Sequence, residues 1–383
     1  MSGPPRSSGS AEPHPRYRDD ERAVLTLDAG GTKLAFSAVR GERQVVEPVV
    51  MPSHADGLEA TLQRISRGFR QVKARLGAEP VAISFSFPAP ADYRSGVIGD
   101  LENLPVFRGG VALGPMLEDQ FGVPVLISND GDLFAFGESI AGLLPWVNGL
   151  LEQSGSPRRF RNLLGVTLGT GFGAGIVHDG VILAGDNSAG GEINRLRSVL
   201  QPAWSVEESV SVRAVRRAYA LATGTDLEQA PTSRDVFEIG MGRMGGARAT
   251  ALQAFHDLAV AAGDALATAS SLVDGLVVIG GGVANGWPLF LPRLVEAMNE
   301  PYATPDGGAL PRFESRAYSL EDPAQRDAFL RGEVREVTVP FSSRTVTYDA
   351  SRAVGVGVTR LGTATAVAIG AYTLALRRLD GLG

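Results

Sequence analysis

Short apolar runs that stop at small polar residues recur along the chain and predict β-strands. The run that begins at Val123 stops at Ser128, Asn129 and Asp130, and an amphipathic segment follows as far as Glu138. This pattern predicts a strand that passes directly into a helix. The same kind of run predicts strands at 23–27, 33–39, 81–87 and 163–168, at 174–183 with a break, and at 276–279.

Apolar residues at helical spacing predict the longer helices. Between 56 and 76 they recur at steps of three and four, and Gly77 follows as a stop signal. Asp56 opens this segment and Glu59 lies three residues later, so we expect a capping box at its start. Similar spacing predicts a helix over 252–272, and Pro288 is expected to open another.

Length and composition limit the class of protein. A chain of 383 residues exceeds the size at which one core stops growing, so two domains are expected. A net charge of -6 argues against nucleic-acid and anionic-membrane partners, which need a basic surface. The absence of cysteine excludes disulfides and thiolate metal sites and is compatible with a reducing cytoplasm.

The sequence shows neither a secretory signal nor a membrane-spanning run. Residues 1–21 are rich in Pro, Ser, Gly and charge and lack the apolar centre of a secretory signal, so we expect a disordered tail. We find no run of roughly 18 to 20 apolar residues, and we therefore expect a soluble protein without a membrane span.

Two glycine-rich turns connect strand to strand. Asp28, Ala29, Gly30, Gly31 and Thr32 follow the first strand, and residues 169–173 repeat this arrangement with Gly169, Thr170, Gly171 and Gly173. Each turn is either a plain hairpin or a phosphate site, in which unobstructed backbone N–H groups face phosphate oxygens and Asp28 faces a metal. Their similarity indicates a duplicated architecture, in which the two turns grip one polyphosphate from opposite sides.

Asn129 and Asp130 lie where open α/β sheets place their ligands, at the carboxyl end of a strand. An Asp held there can accept a proton from a substrate hydroxyl. The alternative is that one of the two residues only caps the following helix. Asn103, which precedes a rigid Leu-Pro pair, is either a turn former or a ligand.

Together these motifs resemble the ROK family of bacterial sugar kinases, within the actin, Hsp70 and hexokinase superfamily. The resemblance extends from about Val24 to about Leu374. Residues 28–32 are similar to the first phosphate motif of the family, 169–173 to the second, and 279–283 to the adenosine motif. Asn129-Asp130 matches its Asn-Asp pair, 102–105 its sugar-binding loop, and 191–193 the start of its Gly-Glu-x-Gly-His signature.

The resemblance implies a fold and a division of the chain. The fold is α/β, a duplicated ribonuclease H-like (actin-like ATPase) two-domain arrangement with an interdomain cleft. We assign residues 22–128 to the N-terminal domain and 129–363 to the C-terminal domain, and a helix at about 364–383 is expected to return to the first. The segment at about 301–352 is longer than this family leads us to expect.

The resemblance also implies an activity and the residues that perform it. A cytoplasmic kinase would transfer the γ-phosphoryl of ATP, with Mg²⁺, to a hydroxyl of a hexose or hexose derivative, commonly on carbon six. Asp130 is the expected base, and Asp28 is expected to hold Mg²⁺ through water. The expected sugar-binding residues are Asn103, Asn129, Asp130, Glu192, Glu207 and Arg195. The expected nucleotide-binding residues are Asp28, Gly30, Gly31, Thr32, Lys33, Gly169, Thr170, Gly171, Gly173, Gly280, Gly281 and Gly282.

The chain departs from the family at the zinc-binding signature. Asn194 and Arg195 stand where the family has Gly-His, and the cysteine ligands are absent, so we expect no zinc site. Arg195 is expected either to contact a sugar oxygen or to replace the zinc by pairing with Glu192, Glu207 or Glu208. The pair Glu207-Glu208 either supplies a sugar ligand, for which Glu207 is the better match, or begins a surface helix.

Two other functions compete with the kinase. A sugar-responsive regulator of this family would carry an N-terminal helix-turn-helix, and the residues before Val24 are too few and too rich in proline to build one. A catalytically silent sugar or nucleotide binder is the second alternative, because the signature His is lost. A homodimer is left open.

Overall fold

Two large mixed β-sheets with helices packed on them form the main part of the protein. The structure is a computed structural model that describes residues 17–29, 33–53, 57–88, 90–100 and 105–382. Asn103, Asp56 and the glycines of the first turn lie outside these ranges. The helices are, in chain order, α1 (Leu58–Leu76), α2 (Leu113–Phe121), α3 (Asp130–Ile140), α4 (Leu143–Gln153), α5 (Val212–Thr223), α6 (Ser233–Gly240), α7 (Arg248–Val273), α8 (Trp287–Asn299), α9 (Pro323–Arg331) and α10 (Thr363–Leu379).

The strands include those that the apolar runs predict. They are, in chain order, β1 (Ala23–Ala29), β2 (Lys33–Arg40), β3 (Arg43–Pro52), β4 (Ala82–Ser86), β5 (Ala91–Asp92), β6 (Val97–Ile98), β7 (Val111–Ala112), β8 (Val125–Ser128), β9 (Leu163–Leu168), β10 (Phe172–His178), β11 (Val181–Ile182), β12 (Leu276–Gly280), β13 (Tyr302–Ala303), β14 (Ala309–Leu310), β15 (Arg316–Ser319), β16 (Val334–Thr338), β17 (Thr345–Asp349) and β18 (Ala353–Val358).

The two large sheets share one topology. The first has the order β3-β2-β1-β4-β8, with β1, β2 and β3 antiparallel and β4 and β8 parallel to β1. The second has the order β11-β10-β9-β12-β18-β15, in which the first five strands repeat that pattern and β15 is added at the edge. The predicted duplicated, ribonuclease H-like α/β fold is therefore confirmed.

The last helix packs beside the first sheet although it follows the second in sequence. The backbone N–H of Gly41, after β2, donates a hydrogen bond to the hydroxyl of Tyr372 on α10 at 3.0 Å. Tyr372 is completely buried, and Arg22 before β1 forms an ion pair with Asp380 at 2.7 Å. These contacts hold α10 on the N-terminal half, while the domain boundaries themselves remain a prediction.

The segment between α8 and β18 has structure of its own. It supplies the edge strand β15, helix α9 and two hairpins, β13-β14 and β16-β17. The second hairpin is anchored at its base by an ion pair of 2.8 Å between Arg158 and Asp349, whose side chains are only 14% and 3% exposed. The segment is therefore partly an extension of the second sheet.

One expectation about the helices needs correction, and one apolar stretch needs an explanation. Helix α1 begins at Leu58 with Gly57 as its N-cap and no side-chain cap, so the capping box predicted from Asp56 and Glu59 is wrong. One helical stretch among the described residues, Asp130–Gln153, is long and apolar enough to cross a membrane. It comprises α3 and α4, which separate at Ala141–Gly142, and 67% of its most apolar window is buried, so its apolar residues belong to the core.

The crossing of α3 and α10 is unusually close because glycines form it. A Cβ placed on Gly137 would lie 1.9 Å from the carbonyl oxygen of Ala366, and one on Gly370 would lie 2.1 Å from that of Leu133. Real Cβ atoms do not approach so closely, so both positions require glycine. Helix α3, which begins at Asp130, is thus held directly against α10.

We expect Gly137→Ala to lower the free energy of unfolding by about 1–3 kcal/mol, because the new methyl group forces α3 and α10 apart. Gly149→Ala is the matched control, because a Cβ at this glycine in α4 meets nothing within 4 Å. The control should raise stability by about 0.5–1 kcal/mol. Denaturant titration of both variants checks this, and equal effects would contradict the close crossing.

Candidate active site

Asp130 and Asn129 lie at the junction of β8 and α3. Asn129 is the N-cap of α3, and its side-chain oxygen accepts a hydrogen bond from the backbone N–H of Gly131 at 2.7 Å. The Oδ1 of Asp130 accepts from the same N–H at 3.0 Å. Asn129 therefore caps the helix, which does not exclude a second role as a ligand, and Asp130 is exposed at the start of the helix.

The protein around Asp130 raises the pKa of its carboxyl group. The main cause is loss of solvation, because protein atoms crowd the carboxyl group although part of the residue remains exposed; the nearby charge of Asp28 raises the pKa further. Hydrogen bonding to the N–H of Gly131 acts in the opposite direction. A carboxylate with a raised pKa is a stronger proton acceptor, as a general base requires.

The second glycine turn lies next to Asp130. Gly169, Thr170 and Gly171 connect β9 to β10, and the N–H of Gly169 donates to the carbonyl oxygen of Gly171 at 3.0 Å. A Cβ on Gly173 would lie 3.9 Å from the Asp130 carboxylate and 2.7 Å from the hydroxyl oxygen of Thr167. The 3.9 Å distance places the carboxylate beside the turn, and the close hydroxyl of Thr167 is the reason that position 173 favours glycine.

Glu207 is attached to this same turn. Its Oε2 accepts a hydrogen bond from the backbone N–H of Phe172 at 2.9 Å, and its Oε1 lies 3.6 Å from the guanidinium of Arg213. A Cβ on Gly171 would lie 2.6 Å from the same Oε2. The short 3-10 helix Val206–Glu208 therefore holds a carboxylate at the edge of the turn.

The described part of the first turn consists of its two ends. Asp28 near the end of β1 and Lys33 at the start of β2 are both exposed, whereas Gly30, Gly31 and Thr32 lie outside the described residues. The Asp28 carboxylate makes no hydrogen bond or ion pair to any residue that the structure describes. A carboxylate with free oxygens suits Mg²⁺, which retains most of its water ligands.

Only one glycine of the third motif faces open space. A Cβ on Gly280 would strike the ring of Phe134, and one on Gly281 would lie 2.3 Å from the carbonyl oxygen of Leu168. Gly282 has nothing within 4 Å and lines a cavity of about 480 Å³. The other lining residues are Val215, Ser233, Arg234, Phe237, Glu238, Phe255, Val283, Asn285 and Gly286.

This cavity has the dimensions of a small-molecule site. Its walls come from α5, α6, α7 and the 3-10 helix Ala284–Gly286, and the N–H of Val283 donates to the carbonyl oxygen of Leu168 at 2.9 Å. The cavity is thus adjacent to the second glycine turn. A larger groove, of about 950 Å³, lies on the outer face of α1 and α2, and none of the predicted site residues lines it.

Glu192 is the N-cap of the 3-10 helix Ile193–Arg195, and Arg195 is its last residue. Glu192 is half-buried, whereas Arg195 is exposed. The ion pair predicted between Arg195 and Glu192, Glu207 or Glu208 is wrong for the described residues. Glu207 pairs instead with Arg213, and Glu208 pairs with Arg217 at 2.9 Å.

Two residues that the sequence did not indicate also lie at this site. Asp132, in the first turn of α3, is 4% exposed, and the charges of Asp130 and Glu192 act on its carboxyl group. The hydroxyl of Tyr93 lies beside Asn129, and burial raises its pKa. The sequence could have indicated Asp132, because it is an acid two residues after Asp130. Only the tertiary structure reveals Tyr93.

No cluster of three or more His, Cys, Asp or Glu residues able to hold a metal ion occurs among the described residues. The charges of Asp130 and Glu192 act on Asp132, and the second glycine turn lies beside Asp130.

Similar proteins were found in sequence and in structure. The crystal structure of a glucokinase from Parabacteroides distasonis is 49% identical and covers 94% of this chain and 99% of its own, with a TM-score of 0.87. A ROK family glucokinase from Streptomyces griseus, in complex with glucose and AMPPNP, is 19% identical over 91% and 98% of the two chains, with a TM-score of 0.59. At this identity the likeness concerns the fold alone.

The curated relatives match over a shorter region. An N-acetyl-D-glucosamine kinase from Vibrio parahaemolyticus is 29% identical over 178 residues, which are 46% of this chain and 53% of that kinase. The chain thus spans about half the length of the curated relatives that it matches. The model of the ROK family, by contrast, matches residues 24–316, which are more than half of this chain. The chain therefore belongs to the ROK family.

Proposed function

We propose that this protein is an ATP-dependent sugar kinase that transfers the γ-phosphoryl group of Mg-ATP to a hydroxyl of a hexose or hexose derivative, on carbon six. The observation that carries this proposal is the position of Asp130. Asp130 is exposed, and its carboxylate lies 3.9 Å from where a side chain on Gly173 would begin, so it stands next to the second glycine turn. A proton acceptor beside a phosphate site is what phosphoryl transfer to an alcohol requires.

Similarity to named kinases supports the same activity. The resemblance to the glucokinase from Parabacteroides distasonis extends over nearly all of the chain, and the curated relatives are N-acetyl-D-glucosamine kinases. Glucose and N-acetylglucosamine differ at carbon two and share a primary hydroxyl at carbon six. The complex of the Streptomyces griseus glucokinase with AMPPNP supports ATP as the phosphoryl donor.

Each residue of the site has a proposed role in this reaction. Asp130 accepts the proton of the attacking hydroxyl, and Asn103, Asn129, Glu192, Glu207 and Arg195 bind the sugar. The two glycine turns bind the phosphates, and Asp28 and Lys33 lie at the ends of the first. Catalysis then depends mainly on positioning and on neutralisation of charge. Mg²⁺, held by Asp28 through water, would supply part of that neutralisation.

The cavity beside Gly282 is the proposed site of adenosine. Its walls are mixed, with the rings of Phe237 and Phe255 next to the polar side chains of Ser233, Arg234 and Asn285. Apolar walls with a few polar groups are typical of sites for nucleobases and other small ligands. Gly280 and Gly281 would act indirectly, because their close packing places Gly282 at the mouth of the cavity.

The direct test is a screen of hexoses and amino sugars with Mg-ATP, in which ADP release is measured. Phosphorylation of the product on carbon six, determined by NMR, would support the proposal in full. A catalytically silent sugar or nucleotide binder is the alternative. Stabilisation by a sugar in thermal denaturation without ADP release would favour it, because a bound ligand raises the melting temperature whether or not it reacts.

We expect Asp130→Asn to lower kcat by at least about 10², because the amide keeps the shape of the side chain and cannot accept the proton. Sugar affinity, measured by calorimetry, should remain within about threefold of the wild type. Asp119→Asn, at an exposed position on α2, is the matched control. A kcat for Asp130→Asn within about threefold of the wild type would remove Asp130 from the mechanism.

We expect a chelator to leave the melting temperature unchanged and to abolish phosphoryl transfer until Mg²⁺ is restored. The chain has no cysteine, and a water-mediated Mg²⁺ contributes little to folding. Elemental analysis of the purified protein accompanies the melting curves. One tightly bound zinc per chain would refute this expectation.

We expect Arg195→His to change the order of preferred sugars while the free energy of unfolding changes by less than about 0.5 kcal/mol, because Arg195 is exposed and forms no ion pair with described residues. Arg217→His is the control for stability. The guanidinium of Arg217 pairs with Glu208 and lies 5.1 Å from the centroid of the Trp204 ring, so its loss should cost about 1 kcal/mol. An unchanged sugar order would place Arg195 outside the site.

A further inference from the structure

The carboxyl group of Asp132 is the least explained polar group of the site. Its side chain is 4% exposed, and its Oδ1 is completely buried without a hydrogen-bond partner among the described residues. A buried carboxylate oxygen without a partner is strongly unfavourable in a protein interior. The roles proposed above for the residues around it do not account for this group.

Close backbone contacts bring the segments that carry Asp132 and two other acids to the same strand. A Cβ on Gly175 of β10 would lie 2.6 Å from the Cα of Asp132, so the first turn of α3 rests directly on this strand. A Cβ on Gly191 would lie 3.6 Å from the Cα of Gly175, which brings the next residue, Glu192, to the same strand position. Asp130, two residues before Asp132, completes the group.

The charges that act on Asp132 are all negative. Asp130 on the same helix and Glu192 on the opposite segment both act on it, and no cation among the described residues offsets them. Tyr93, in the loop between β5 and β6, carries another titratable group. Burial raises the pKa of its hydroxyl, and the charges of Asp130, Asp132 and Glu192 raise it further. Three ionised carboxylates whose charges act on one buried group would repel one another.

We propose that Asp132 is a positioning residue that works as a neutral acid: its carboxyl group keeps its proton while the sugar binds and so limits the negative charge around Asp130. The inference rests on the proposed kinase function, in which Asp130 is the base and the other substrate carries a triphosphate. A neutral acid also lowers the cost of the orphaned oxygen, because burying an uncharged carboxyl group costs less solvation energy than burying a carboxylate.

The electrostatics agree with this geometry. Burial raises the pKa of Asp132 to about 8, and the charges of Asp130 and Glu192 add to the effect. Because the folded-state pKa lies above the unfolded value, near 4, the protonated carboxyl stabilises the fold at low pH. This stabilisation falls as the pH rises from about 4 to about 8 and is absent above that range. Ionisation of Asp132 above about pH 8 adds a negative charge beside Asp130 and Glu192.

The test compares the pH dependence of Asp132→Asn with that of the wild type. The amide has the shape of the neutral acid, remains a donor and cannot ionise. We expect kcat/KM for the sugar to fall in the wild type above about pH 8, and we expect this alkaline loss to begin at least one pH unit higher in the variant. At pH 7 the variant should be about three- to tenfold less active, because an amide N–H is a weaker hydrogen-bond donor than the O–H of a carboxylic acid.

Thermal denaturation provides a readout that does not depend on activity. The melting temperature of Asp132→Asn relative to the wild type should increase between pH 6 and pH 8 and stay constant above pH 8. Asp132→Glu restores an ionisable group and should restore the alkaline loss of kcat/KM. Asp119→Asn, on the outer face of α2, should follow the wild type in both profiles.

Two results would overturn the inference: an alkaline loss that begins at the same pH in Asp132→Asn and the wild type, or a difference in melting temperature that does not vary with pH. Either would mean that Asp132 is ionised or merely structural. If the wild type phosphorylates no sugar, the proposed function fails. A pH-dependent difference in melting temperature would then still support the neutral state of Asp132, so the two failures can be distinguished.

Discussion

The buried carboxylate of Glu138 is the interaction on which the geometry of the site depends. Glu138 lies in α3 and is completely buried, and it accepts hydrogen bonds from the backbone N–H groups of Leu143, Arg360 and Leu361 and from the hydroxyl of Thr359. One charged group therefore joins α3, the start of α4 and the connection from β18 to α10. Its loss would leave several donors unpaired in the interior, and each unpaired donor costs about 1–3 kcal/mol.

This junction fixes the C-terminal end of α3, and separate contacts hold the N-terminal end that carries Asp130. Asp130 lies eight residues before Glu138, which is about 12 Å along a helix. At that end the glycines allow close contact, since a Cβ on Gly131 would lie 2.4 Å from the carbonyl oxygen of Ala174 in β10. At the other end, Thr363 at the start of α10 accepts a hydrogen bond from the N–H of Gly281 at 2.7 Å. The helix that carries the proposed base is thereby connected to the loop beside the proposed adenosine cavity.

The sequence predicted those features that local signals determine. Strand β9 was predicted to the residue, because an apolar run ends there at Gly169, and the repeated strand-turn-strand pattern revealed the duplicated fold. The start of α1 was misplaced, since Gly57 rather than Asp56 precedes the helix. Contacts between distant segments could not be predicted in the same way. One example is that Glu207 and Glu208 pair with Arg213 and Arg217 and not with Arg195. Another is that Tyr93 lies beside Asn129.

Glu207 is the side chain that the proposed sugar site and the proposed phosphate turn share. Its carboxylate accepts the N–H of Phe172, and its partner Arg213 is 3.6 Å away, a distance at which an ion pair is weak. The proposed sugar ligand is therefore held mainly by the backbone of the proposed phosphate turn. A sugar hydroxyl that binds Glu207 must either share its oxygens with Phe172 or release that N–H. In both cases sugar binding acts on the turn directly, because no flexible segment separates the carboxylate from it.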